Sequence, residues 1–159
     1  MRPQPLADLG ALDLTREVVS LEDFRKVVLQ RGRFALIDGV VHADVENDLI
    51  VGYKDILADD WWAADHIPGR PLFPGALMVE ASAQLSTYDF VLRRPEISHK
   101  FVGFAGIDKT RFRAKVEPDC RMYFVSRAAR LRKTLFNYKV QGLVEGAIVF
   151  EGEVSGMVV

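Results

Sequence analysis

The sequence predicts a single α+β domain in which a curved, mostly antiparallel sheet wraps around one long buried helix. Three observations carry that expectation. A proline-free run rich in Ala, Leu and Met, from Gly75 to Arg94, reads as one helix that is apolar on every side. Everything after Pro95 reads as strand, and helix followed by a run of strands is the pattern of a largely antiparallel α+β sheet. A chain of 159 residues with 49% hydrophobic content supplies one sizeable core.

The elements follow in order. The first 20 residues mix polar and apolar types and hold two prolines, and Leu21 to Arg31 then reads as a short helix with Leu21, Phe24, Val27 and Val28 on one side, a lid or an edge element. Two short apolar runs, Phe34–Ile37 and Leu49–Tyr53, flank the polar stretch Asp44–Asp48 and predict two strands joined by a turn. The stretch DHIPGRPLFPG, Asp65 to Gly75, carries three prolines and two glycines and must be a loop. The long helix ends at Arg93, Arg94 and Pro95. Strands are then predicted over Lys100–Ile107, Thr110–Val116, Arg121–Arg130, Phe136–Leu143 and Ala147–Val158, rich in Val, Phe and Tyr.

Charge and composition exclude several classes. With 21 basic and 22 acidic residues, the net charge of -1 provides no overall field for nucleic acid or an anionic membrane. Cys120 is the only cysteine, so neither an intramolecular disulfide nor a cysteine zinc cluster is expected. His42 and His99 have no neighbours at ligand spacing, and no metal or other cofactor is expected. The N-terminus lacks a continuous apolar leader, and Glu80, Gln84 and Asp89 interrupt the long helix, so the reading is a cytoplasmic protein. Trp61 and Trp62 read as core in preference to the lining of an acyl tunnel.

Two ionisable residues stand out by position. His66 lies in the Pro/Gly loop, and Glu80 lies five residues past Gly75, about one and a half turns into the helix, so the two are expected to converge near its N-terminal end. A carboxyl on an apolar helix loses hydration, which favours its neutral form and suits a proton donor. Histidine at neutral pH suits the opposite task, a base. The backbone N–H groups of Gly75 and Ala76 have no intrahelical acceptor and are candidates to hold an enolate-like oxygen.

The run H-I-P-G-R-P-L-F-P-G-A-L-M-V-E-A-S-A-Q, His66 to Gln84, resembles the signature of the 3-hydroxyacyl-acyl-carrier-protein dehydratases of the hot-dog fold, with the histidine and the helical carboxylate 14 positions apart. A-G-I-D-K-T-R-F-R-A-K-V-E-P-D, Ala105 to Asp119, is similar to the strand after the helix in that family, and R-F-A-L-I-D, Arg33 to Asp38, resembles its N-terminal strand more weakly. The resemblance implies one hot-dog domain over 1–159, with 1–32 as an N-terminal extension bearing the short helix and 33–159 as the core. It implies that His66 abstracts the C2 proton, that Glu80 protonates the departing C3 hydroxyl, that the Gly75 N–H holds the thioester oxygen and that Gln84 supports the site. It further implies a step of fatty acid biosynthesis, an acyl carrier protein or acyl-CoA thioester as the partner, and a homodimer sharing its sites, or a hexamer built as a trimer of dimers.

Glutamate at position 80 sets the chain apart from the related dehydratase-isomerases, whose helix carries aspartate there. Asp65, Ile67 and Cys120 depart from the pattern, and a carboxylate beside His66 would favour the imidazolium and weaken the base. Lys109, Arg111, Arg113 and Lys115 alternate with Thr110, Phe112, Ala114 and Val116, so in a strand they form a basic stripe, either a solvated outer face or a dock for an acidic carrier protein. A hot-dog thioesterase and a non-catalytic acyl-thioester-binding protein are the alternative functions.

Overall fold

The computed structural model describes residues 1–159. Six strands, β1 (Gly39–Asp44), β2 (Leu49–Ile56), β3 (Val102–Phe112), β4 (Cys120–Leu131), β5 (Leu135–Val144) and β6 (Ala147–Val158), form one antiparallel sheet in the order β1-β2-β4-β5-β6-β3. Three helices accompany it: α1 (Leu21–Val27), α2 (Trp61–Asp65) and α3 (Gly75–Arg93). Alternation along the strands sorts the side chains. Ile50, Ile56, Met122, Phe124, Phe136, Tyr138 and Val140 turn inward onto α3, in one core with Ala81, Leu85 and Phe90. Gly52 lets the helix approach, since a Cβ there would sit 3.0 Å from Leu85 Cδ1. Leu49, Val51, Tyr53, Val125 and Leu143 turn outward into a second, smaller cluster. The helix apolar on every side is thus covered by a sheet that bends around it, and no helix is long and apolar enough to cross a membrane.

The structure corrects several boundaries. Helix α1 starts as Ser20 Oγ accepts the Asp23 N–H, but it ends at Val27. Val28 is already extended and buried, a conformation that suits a β-branched side chain. Phe34–Ile37 is not a strand. A 3₁₀ turn at Gly32–Phe34 leads into an extended link whose Phe34 C=O and Leu36 N–H bond the Gln84 amide in place of a neighbouring strand, and β1 begins only at Gly39. The two strands expected over 100–116 merge into β3, with a bulge where Lys109 takes φ 49°. Trp61–Asp65, expected as the approach to a loop, forms α2, with Trp62 buried against Phe73 and Trp61 exposed.

The C-terminal half of α3 is pinned by a buried polar network. Asp89 Oδ2 accepts from the Tyr138 hydroxyl and, at 2.6 Å, from Arg93 Nε, while Arg93 Nη1 reaches Asp48 Oδ1 at 2.8 Å and the Val45 carbonyl at 3.0 Å. Burial first, then the Asp89 charge, holds the Tyr138 hydroxyl protonated well above the usual phenol range. Tyr138→Phe removes a donor from a carboxylate that is 0% exposed to solvent. The expected cost is about 1–3 kcal/mol, read as a lower urea midpoint at unchanged m-value.

Candidate active site

His66 caps the C-terminus of α2, its N–H donating to the Trp62 carbonyl at 2.8 Å. Packing of Trp62 on Phe73 anchors this short helix, and the Phe73 N–H donates to the Val116 carbonyl, so both ends of the Pro/Gly loop are held. The imidazole Nδ1 lies 2.9 Å from the Leu72 carbonyl. A carbonyl oxygen only accepts, so Nδ1 carries the proton and Nε2 of the neutral ring is left as the basic nitrogen. Asp65 ends α2 on the exposed side, and the ring makes its hydrogen bond to Leu72 and not to that carboxylate.

Next to His66 is the start of α3. The Pro74 carbonyl accepts the Leu77 and Met78 N–H groups at 3.0 and 3.2 Å, which leaves those of Gly75 and Ala76 ahead of the helical ladder, at the positive end of the helix dipole. Gly75 cannot be larger without movement of its neighbour, because a Cβ would lie 2.7 Å from the Phe112 ring. His66, Gly75 and Ala76 line one cleft of about 580 Å³ with Phe112, Arg113 and Lys115. A base and two free main-chain donors therefore face a common space.

Glu80 lines a different cleft, of about 320 Å³. Gln84, buried one turn further on, donates through Nε2 to Glu80 Oε1 at 2.9 Å and to the Phe34 carbonyl at 2.7 Å, while its Oε1 accepts the Leu36 N–H at 3.1 Å. The amide orientation is fixed by those two backbone groups, so the N–H that reaches Glu80 is held in place. The cleft continues from Glu80 along Ala83, Thr87 and Val91, between the segments 26–30 and 98–104, with Phe136 at its floor.

Within one chain, then, the two sequence-identified residues do not share a cleft. Five residues along a helix advance about 7.5 Å but also turn by about 140°, so Glu80 leaves α3 on a side different from Gly75. Counting turns captured the rise and missed the azimuth. Strand β3 spans both clefts: Phe112 lines the one with His66, and Val102 and Phe104 line the one with Glu80. It is also an edge of the sheet, paired on one side only, with Phe104, Ile107 and Phe112 about half exposed.

The basic stripe is not the continuous strand face expected. Lys109 sits in the bulge, Arg113 and Lys115 lie past the end of β3, and three of the four bases hold carboxylates: Lys109 with Glu153 at 3.0 Å, Arg113 with Glu151 at 2.8 Å and Lys115 with Glu117 at 2.8 Å. Sequence reasoning missed the Leu72 carbonyl and Thr87. The first is a main-chain atom with no sequence signature, whereas Thr87 was readable as the residue two turns from Glu80 on the same side of the helix.

Comparison with solved structures places this architecture. The dehydratase heterocomplex ApeI:P from Xenorhabdus doucetiae matches with a TM-score of 0.72 at 10% identity, over 86% of this chain and 90% of that one. A mutant of the thioesterase PA1618 from Pseudomonas aeruginosa matches with 0.66 at 15% identity, over 92% and 99%. The likeness defines the chain as a hot-dog protein, and one dehydratase and one thioesterase among the neighbours show that the fold alone does not choose the reaction. The description FabA-like domain matches residues 29–153. The 3-hydroxyacyl-[acyl-carrier-protein] dehydratase FabZ of Herpetosiphon aurantiacus is 33% identical over 136 residues, 85% of this chain and 94% of that protein. The chain belongs to the 3-hydroxyacyl-[acyl-carrier-protein] dehydratase family.

Proposed function

We propose that this protein removes water from 3-hydroxyacyl thioesters on acyl carrier protein to give trans-2-enoyl thioesters, in a homodimer whose sites each combine two subunits. The observation that carries the reading is the His66 and Gly75 cleft, where an Nε2 free to accept a proton stands beside unpaired N–H donors. His66 Nε2 takes the C2 proton, and the developing enolate oxygen is stabilised by the Gly75 and Ala76 N–H groups. The electron pair forms the C2–C3 double bond as the C3–O bond breaks. Glu80, positioned by Gln84, gives its proton to the departing hydroxyl, which leaves as water.

The shared site follows from the edge strand. Antiparallel pairing of β3 with its own copy about a two-fold axis lays the Phe112 end of one strand beside the Val102–Phe104 end of the other. That pairing covers the half-exposed Phe104, Ile107 and Phe112 and satisfies the open edge. It also brings His66 of the partner subunit toward the cleft of Glu80. For the carrier protein, bases without a carboxylate partner matter most: Lys100 lines the Glu80 cleft, and Arg130, Arg132 and Lys133 lie at the β4–β5 turn, where the Thr134 carbonyl accepts the N–H of Val158, the residue paired with the start of β3; an acidic surface fits this end of the sheet better than the largely paired stripe.

Addition of a trans-2-enoyl thioester tests the reaction in reverse. Hydration removes the conjugated absorbance and releases no thiol, whereas release of free thiol at a matching rate would replace this reading with the thioesterase. Neither signal with carrier-bound or CoA-bound substrate would leave only thioester binding. The groove also sets a length expectation. Thr87 lies about 10 Å along the helix from Glu80. Thr87→Trp is expected to leave four-carbon substrates unaffected and lower kcat/KM for ten-carbon substrates by about tenfold or more, as overpacking of a filled groove does.

A further inference from the structure

The Glu80 cleft has one wall that the core does not hold throughout. Ala83, Thr87 and Val91 line it from the buried helix α3, and one of its two walls is the segment 26–30, where α1 ends. That segment is anchored at its start. Phe24 packs on Tyr88 with ring centroids 4.9 Å apart, and Val28 is 3% exposed. Leu29, 60% exposed, and Gln30, also exposed, are not tied into the core, yet both line the cleft. Something other than burial must fix their path.

Arg31 supplies that hold. Its Nη1 donates to the Val28 carbonyl at 2.6 Å and to the Gln30 carbonyl at 3.0 Å, and its Nη2 donates to the Arg25 carbonyl at 2.5 Å. Carbonyls at the end of a helix lack intrahelical partners and carry its negative end, so a guanidinium is well suited to gather them. Every hydrogen bond of this exposed side chain goes to the main chain of the segment before it. Beyond it Gly32, at φ 60°, turns the chain, and Gln84 holds Phe34 and Leu36 separately. The wall and the support of Glu80 are thus fastened at different points. Val28 and Gln30 lie beside Gln84, one turn past Glu80 or about 6 Å along α3. We infer that Arg31 is a positioning residue for chain length: it folds 28–30 into the wall along which the outer part of a long acyl chain lies. A four-carbon chain carries one carbon beyond C3 and stops short of that wall. The inference rests on the reading of the Glu80 cleft as the acyl groove.

Equilibrium titration with S-butyl and S-decyl pantetheine, thioethers that neither hydrate nor hydrolyse, tests this without turnover. The wild-type chain is expected to bind the decyl compound more tightly than the butyl one. Arg31→Met keeps an unbranched stem and removes the donors. It is expected to weaken decyl binding by about tenfold, the weight of roughly two methylene groups left uncovered, and to leave butyl binding unchanged. Arg31→Lys, whose ammonium cannot span three carbonyls, should fall between the two. An arginine that served stability alone would weaken both compounds equally or neither, and either result overturns the inference, as does a wild-type chain that binds the two alike. Should Arg31→Met fail to fold, the decyl-to-butyl ratio of Arg31→Lys decides, and an unaltered ratio overturns it. Enoyl hydration is scored separately: a wild-type chain that hydrates no enoyl thioester removes the dehydratase reading, while the binding ratio still judges Arg31.

Discussion

Replacement of His66 by alanine, or of Glu80 by glutamine, is expected to lower dehydration by roughly 10²–10⁴ each, the usual contribution of one positioned acid or base. The two losses have different origins. On the proposed mechanism His66→Ala removes the C2 base, and it leaves the Leu72 carbonyl at the edge of an open cleft, where water can replace the lost donor. Glu80→Gln keeps the volume and the hydrogen bond from Gln84, yet cannot supply a proton to the C3 oxygen. Neither side chain belongs to the apolar core, so thermal midpoints should change little while turnover collapses. Steady-state hydration of a short enoyl thioester, with circular dichroism as the folding control, is the measurement. Wild-type rates in either variant would remove that residue from the mechanism.

Mixing the two inactive variants should restore activity. If each site takes its base from one subunit and its acid from the other, a dimer of one His66→Ala subunit and one Glu80→Gln subunit contains one doubly damaged site and one intact site. Random assortment makes half of the dimers mixed, so about one quarter of the wild-type rate is expected from a pool in which each parent is nearly dead. The recovery requires subunit exchange or co-expression, and the control is the same mixture before exchange. Sites held within single chains would give no recovery at all. A variant of the β3 edge, Ile107→Asp, should prevent the recovery by opposing the pairing that builds the site.

Much of the architecture was legible in the sequence because it follows from short-range pattern. The apolar, proline-free run after Pro74 marked α3 to within a residue, and the alternating Val, Phe and Tyr stretches marked β4, β5 and β6. Errors fell where the backbone is satisfied by something other than its neighbours in sequence. Phe34–Ile37 has the composition of a strand, but the Gln84 side chain takes its hydrogen bonds, and that partner lies 48 residues away from Leu36. The break expected between Ile107 and Thr110 is absent, because a bulge at that place absorbs one extra residue without breaking the ladder. His66 and Glu80 were singled out by residue type, position and the family resemblance, whereas their separation into two clefts depends on the rotation of α3 and on an edge strand whose partner one sequence does not display. The pairing of Lys109 and Arg113 was equally hidden, since their partners Glu153 and Glu151 lie about forty residues further along the chain.

The Leu72 carbonyl that holds His66 has a consequence for how the site tolerates sequence change. Every amino acid supplies a backbone oxygen, so substitutions at position 72 leave the proton of the imidazole where it is, provided the loop keeps its path. The acid of the proposed mechanism lacks that insurance, because Glu80 is steadied by the one side-chain amide of Gln84. Drift in the loop should therefore be nearly silent for the base, whereas a single codon change at position 84 unsettles the acid, and diversification of this chain is expected to concentrate on the loop side.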